Sequence, residues 1–122
     1  MSDRISQAEL DVMEIIWDRA PIAATGVAEA LAVKKDWNIR TVKTLLARLV
    51  EKNVLSTEKE GRRFLYRPLI DRQTYVGGAA TSLVDRLFGG RAAPLVAQLA
   101  ESKTLTTEDI AELEAIIQDL KS

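Results

Sequence analysis

The chain has 122 residues, 47% of them hydrophobic and 29% charged, with a net charge of -1, the proportions of one ordinary globular domain or two small ones. It contains no cysteine and no histidine, which excludes disulfides, thiolate zinc sites, cysteine nucleophiles, the serine triad and histidine-based metalloprotease sites. Its six glycines fall in neither a GxGxxG nor a Walker spacing, no apolar run approaches a membrane span and the opening residues lack a signal-peptide core, so a cytoplasmic protein that is not an enzyme and needs no cofactor is expected.

Ser6 and Glu9 have capping-box spacing, and Ile5 and Leu10 are placed to staple across it. A helix is predicted from there to about Arg19, with Leu10, Met13, Ile16 and Trp17 as its apolar stripe, and Pro21 opens a turn. Thr25 is a candidate cap for a short second helix that faces Val27, Ala28 and Leu31 inward. Asn38 is the expected N-cap of a third, whose apolar face is Val42, Leu45, Leu46, Leu49 and Val50. Asn53 stands where a left-handed C-terminal residue is wanted. Beyond it the periodicity changes. Val54–Glu58 and Arg63–Pro68 lean towards strand and are separated by the glycine-containing Lys59–Arg62, which predicts a β-hairpin. Helix, helix, helix, hairpin is the order of a winged helix-turn-helix.

Asp71 can cap a fourth helix reaching about Phe88, with Val76, Ala79, Ala80, Leu83 and Leu87 as its stripe and Ile70 and Tyr75 at staple positions. Gly77-Gly78 within it implies a kink or a close neighbour, since each glycine costs about 1 kcal/mol in a helix. Gly89-Gly90 ends it. Pro94 suits the first turn of a fifth helix through Leu95, Val96, Leu99 and Ala100. Thr106 and Asp109 open a sixth, striped by Ile110, Leu113, Ile116, Ile117 and Leu120. About 50 residues of short amphipathic helices bury their stripes poorly alone. Burial against a second copy in a two-fold dimer is the economical outcome, and folding back onto the N-terminal part is the other. The fold class is therefore mainly α with a small β-hairpin: a winged helix-turn-helix DNA-binding domain over 1–70 and a helical dimerisation region over 71–122. The dimer contacts expected are Tyr75, Ala79, Leu83, Leu87, Leu95, Leu99, Ile110, Leu113, Ile116 and Ile117.

Charge divides the same way. Lys34 to Arg67 holds ten Lys and Arg against four Asp and Glu, whereas Asp71 to the end holds five against eight. A basic middle points to a polyanion. The polar face of the third helix carries Arg40, Thr41, Lys43, Thr44, Ala47 and Arg48, and recognition helices read bases from their N-terminal half. Arg40, Thr41, Lys43 and Thr44 are thus expected at base edges of double-stranded DNA. Asn38, Arg48, and the hairpin's Arg62 and Arg63 are expected at phosphates. Trp37 could donate its indole N–H to phosphate or pack between the second and third helices. Without the hairpin such a face would read as ordinary solvated surface, and a winged-helix protein-interaction module that leaves DNA alone is the alternative function. Glu108, Asp109, Glu112 and Glu114 could in principle serve a carboxylate-dependent hydrolase or hold a cation, but they lie opposite an apolar stripe and read as a solvated face.

Ile5-Ser6-Gln7-Ala8-Glu9-Leu10 through Met13-Glu14-Ile15-Ile16-Trp17, then Trp37 to Leu49, then Glu60-Gly61-Arg62-Arg63-Phe64-Leu65-Tyr66 resemble the penicillinase and methicillin-resistance repressors of BlaI/MecI type, and the similarity runs through Leu105–Leu120. The resemblance implies a homodimeric repressor that binds palindromic operators built on TACA and TGTA half-sites and controls genes for antibiotic resistance or metal handling. It also implies, for the β-lactam branch, a protease acting downstream of a membrane sensor on a bond that falls here at Gln98-Leu99, where familiar members have Asn-Phe. The copper-responsive branch carries C-terminal cysteine motifs that this sequence lacks, so no metal is expected. Asn53 replaces a glycine common at the end of the recognition helix.

Overall fold

The computed structural model describes residues 5–122, which form two compact units, the first ending at Val76 and the second spanning Gly77–Ser122. The elements in order are α1 (Gln7–Arg19), β1 (Ile22–Ala23), α2 (Ala24–Leu31), α3 (Ile39–Glu51), β2 (Leu55–Glu60), β3 (Arg63–Pro68), α4 (Arg72–Phe88), α5 (Ala92–Glu101) and α6 (Thr107–Lys121).

The first unit packs α1, α2 and α3 with a small antiparallel sheet of order β1-β3-β2. At the start of α1 the Glu9 amide donates to Ser6 Oγ at 3.1 Å and the Ser6 amide donates to Glu9 Oε1 at 2.8 Å, the capping box read from the sequence. The core is Val12, Met13 and Ile16 of α1, Val27 and Leu31 of α2, Val42, Leu45, Leu46 and Leu49 of α3, with Ile22, Val54 and Leu55. Val12 replaces Leu10 and Trp17 in the expected stripe, and both of those are half-buried. α1 is covered by α2 and α3 and also by β3, so its buried arc is turned from the stripe that a single covering layer would select.

Two local features differ from expectation. Ile22 and Ala23 pair with Tyr66 and Leu65 as a strand, although two residues leave no period to read. That pairing carries the chain straight into α2, whose N-cap is Ala23 without a side-chain hydrogen bond. Thr25, the expected cap, lies inside the helix. The hairpin turn is also tighter than the expected four residues. Pairing continues to Glu60↔Arg63, leaving Gly61-Arg62 as a two-residue connection in which Gly61 supplies φ 65°. Asn38 caps α3 by accepting from the Thr41 amide at 2.9 Å, and Asn53 takes φ 61° after it.

The root of α4 belongs to the first unit. Asp71 Oδ1 accepts from the Thr74 amide at 2.9 Å, Arg72 forms a two-pronged pair with Glu14 at 2.7 and 3.1 Å, and the Trp17 indole donates to the Ile70 carbonyl at 2.9 Å. The rings of Trp17 and Tyr75 lie 5.7 Å apart.

In the second unit α4 ends at Gly89 and Gly90, with φ 59° and 81°. α6 opens with a complete capping box between Thr106 and Asp109. No neighbour comes within 4 Å of a Cβ added at Gly77 or Gly78, so no contact within the chain accounts for the pair. None of the residues of α4, α5 or α6 is buried. Ile110 is 48% exposed, Ile117 50%, Leu87 63% and Leu120 80%. No helix among the described residues is long and apolar enough to cross a membrane.

Candidate nucleic-acid interface

The apolar side of α3 is locked into the core by Val42, Leu45, Leu46 and Leu49, which fixes the opposite face outward with little freedom to rotate. That face carries Arg40, Lys43, Thr44, Ala47 and Arg48, all exposed, with Thr41 half-buried at its edge. The helix C-terminus is anchored by a half-buried pair: Lys52 Nζ lies 2.7 Å from Glu9 Oε1, and the Glu9 side chain is 2% exposed. Burial pushes the Glu9 carboxyl up, but its hydrogen bonds to Lys52 and Ser6 outweigh this and hold it below the usual carboxylate range. Glu9 was legible as a cap. Its second role, tying α1 to the end of α3, carries no sequence signal at a separation of 43 residues.

The outward side of α3 is rich in hydrogen-bond donors, three of its exposed residues being cations. Among the described residues Arg40, Lys43 and Arg48 have no ion-pair partner, while Arg19, Lys35, Arg63, Arg67 and Arg72 each lie beside a carboxylate. Thr44 Oγ1 donates to the Arg40 carbonyl at 3.0 Å. Its proton is therefore committed, and what it presents outward is a methyl group and an acceptor. Asn38 spends its carbonyl oxygen on the cap and keeps its amide N–H groups. Trp37 packs against the core beneath Lys35, whose ammonium is 5.6 Å from the ring centroid.

The hairpin adds Arg62 at the turn tip and Arg63 beside it, both exposed. Arg63 Nη2 lies 3.2 Å from Glu60 Oε1 and Arg67 Nη2 lies 3.5 Å from Glu58 Oε1. Those pairings follow from the register, which sets Glu60 against Arg63 and becomes readable once the turn is known to be two residues long.

Of the remaining predicted positions, Tyr75 is taken up against Trp17 in the first unit. Ala79, Leu83, Leu87, Leu95, Leu99, Ile110, Leu113, Ile116 and Ile117 all lie in the second, exposed or half-buried. Leu99, Leu113 and Ile116 line a shallow cleft between α5 and α6. Gln98-Leu99 falls inside α5, with the Gln98 carbonyl accepting from the Ser102 amide at 3.0 Å. Glu108, Asp109, Glu112 and Glu114 gather no metal-binding cluster among the described residues.

The sequence pattern of the family described as Penicillinase repressor matches residues 5–119. The chain is 35% identical over 119 residues to the penicillinase repressor of Bacillus licheniformis, covering 98% of this chain and 93% of that protein. It is 29% identical to the methicillin resistance regulatory protein MecI of Staphylococcus aureus strain N315, over 93% of this chain and 92% of that one. Among solved structures it is similar to monomeric Bacillus licheniformis BlaI in complex with the blaP half-operator, at 40% identity and TM-score 0.53 over 62% of this chain and 92% of that one.

Proposed function

The chain belongs to the penicillinase repressor family, a family of regulators rather than enzymes, and from that premise we propose that it represses transcription by binding a palindromic operator as a homodimer. The observation that carries this is the outward face of α3: three cations without carboxylate partners among the described residues, on a helix held rigidly by its buried side. Arg40, Thr41, Lys43 and Thr44 read base edges in the major groove. Asn38, Arg48, Arg62 and Arg63 set the register through phosphates, and Trp37 supports the turn that presents Asn38. The first unit and the root of α4 make the DNA-binding part. The exposed apolar stripes of the second unit supply the dimer, which places two copies of α3 on the two half-sites. The regulated genes include determinants of resistance to β-lactam antibiotics, as the names of the relatives suggest.

The test is binding of the purified chain to DNA from upstream of its own gene, against a scrambled duplex, over a salt series. Specific sites bind about a thousandfold or more tighter than random DNA near physiological salt, and a gap of that order is expected. Equal affinity for both duplexes, or no binding at low salt, would remove the reading.

A further inference from the structure

We propose that Gly77-Gly78 is a bend point inside α4 that determines which half-site spacings the dimer accepts, an inference that rests on the DNA-binding function above. Two units of one chain ordinarily flex in the loop that joins them. Here that loop is held. The Leu69 amide donates to the Val54 carbonyl at 2.8 Å, the Trp17 indole donates to the Ile70 carbonyl at 2.9 Å, and Asp71 caps α4 through the Thr74 amide. The first turn of the helix is held as well, by the two-pronged Arg72–Glu14 pair and by the Tyr75 ring beside Trp17. All of these contacts lie within the first unit, which ends at Val76.

The two glycines come next. They open the second unit, both are exposed, and α4 runs through them without a break. Nothing in the chain lies within 4 Å of a Cβ added at either position, so alanine would fit there and would hold the helix better. Glycine leaves the backbone its widest freedom, and glycine pairs are among the few places where helices bend sharply. With the loop and the first turn locked, bending of α4 concentrates at this pair, ahead of the stripe residues Leu83 and Leu87.

One base pair added between two half-sites moves one of them by about 3.4 Å and turns it by about 35° around the duplex. A dimer with two stiff arms follows that shift only by straining its interface or by giving up a half-site. Arms that bend at Gly77-Gly78 absorb part of the shift. Base specificity then belongs to α3, and spacing specificity to the glycine pair. The other use of small residues, close approach of the partner copy, would place the pair in the dimer contact instead.

The experiment compares the full wild-type chain with Gly77→Ala combined with Gly78→Ala, and with Ser82→Ala. Each is titrated with the palindromic duplex that the chain selects from DNA upstream of its own gene, with the same duplex carrying one base pair more or one fewer between the half-sites, and with a scrambled duplex. Dimerisation is followed in parallel by sedimentation equilibrium. Wild type is expected to bind the altered spacings more tightly than scrambled DNA. In the double-alanine chain the ratio of native-spacing to altered-spacing affinity should rise about tenfold, within what the helix propensities of two such replacements supply, while the dimer dissociation constant stays unchanged. Ser82→Ala strengthens the same helix at an exposed position beyond the pair and should leave the ratio as it is. An unchanged ratio in the double-alanine chain, an equal rise from Ser82→Ala, or a wild type that rejects the altered spacings as fully as scrambled DNA would overturn the bend point. A weakened dimer in the double-alanine chain would also overturn it and assign the glycines to the contact between copies. Failure of wild type to prefer the native palindrome over scrambled DNA would instead overturn the DNA-binding function, and this inference with it.

Discussion

At the scale of single residues, the division of labour along α3 is open to direct measurement. Arg48 lies in the second half of the helix, beyond the stretch proposed to meet base edges. Arg48→Ala should weaken binding to all DNA about equally and flatten the salt slope by about one unit. Thr44 has committed its proton to the Arg40 carbonyl, so Thr44→Ala removes a methyl and an acceptor, and discrimination should relax at one base pair while the slope stays. Titrating each variant against a set of single-substitution operators separates the two, and a uniform loss in both would refute the assignment. Glu9 presents a different case. Its folded carboxyl titrates below the unfolded value, so the stability it contributes is present above the ordinary carboxylate range and is lost as pH falls through the folded value. Glu9→Gln should cost roughly 2–3 kcal/mol at neutral pH, below the figure for a fully buried pair because Lys52 stays partly wet. It should also remove part of the acid dependence, as read by denaturant unfolding at fixed protein concentration from pH 7 down to pH 3.

At the scale of elements, what the sequence disclosed follows the range of the interactions involved. The capping boxes of Ser6 with Glu9 and Thr106 with Asp109, the Asn38 cap and the left-handed Asn53 are all present in the structure, because each is decided within four residues. β1 was not legible, since two residues become a strand only by pairing with β3 across more than 40 positions. Thr25 failed as a cap for the same reason: the strand pairing before it set where α2 starts. The cations of α3 could be named from the helix period, whereas the neutralised state of Arg63 and Arg67 depends on hairpin register. The turn that sets this register has its own test. Gly61 has open space around a would-be Cβ but a φ of 65°, so Gly61→Ala meets no clash and only backbone strain. A loss of about 1–2 kcal/mol is expected, and Gly61→Asn should recover much of it because asparagine tolerates the left-handed region. Thermal unfolding of the three proteins decides, and equal stability of the alanine variant would contradict the two-residue turn.

At the scale of the whole molecule, the second unit offers the apolar surface on which the proposed dimer rests. Its helices have regular caps and apolar stripes, yet none of their residues is buried within the chain. On α6, Leu113 lines the cleft beside α5, while Ile110, Ile116 and Ile117 are all about half exposed, with Ile110 and Ile117 two turns apart. Exposed positions tolerate polar substitution in a monomer, so Ile110→Asp with Ile117→Asp should leave the helix content intact and convert the dimer to monomer in sedimentation equilibrium. A variant that stays dimeric would move the interface elsewhere. The central claim, that two copies of this chain read two half-sites together, is met most directly by measuring stoichiometry on DNA. A labelled palindromic duplex that the chain selects from DNA upstream of its own gene is titrated with the chain in the analytical ultracentrifuge at physiological salt, beside the same duplex with one half-site scrambled. Two chains per palindromic duplex, bound far more tightly than the single half-site, is the predicted result. One chain per palindrome, or equal affinity for the two duplexes, would contradict it.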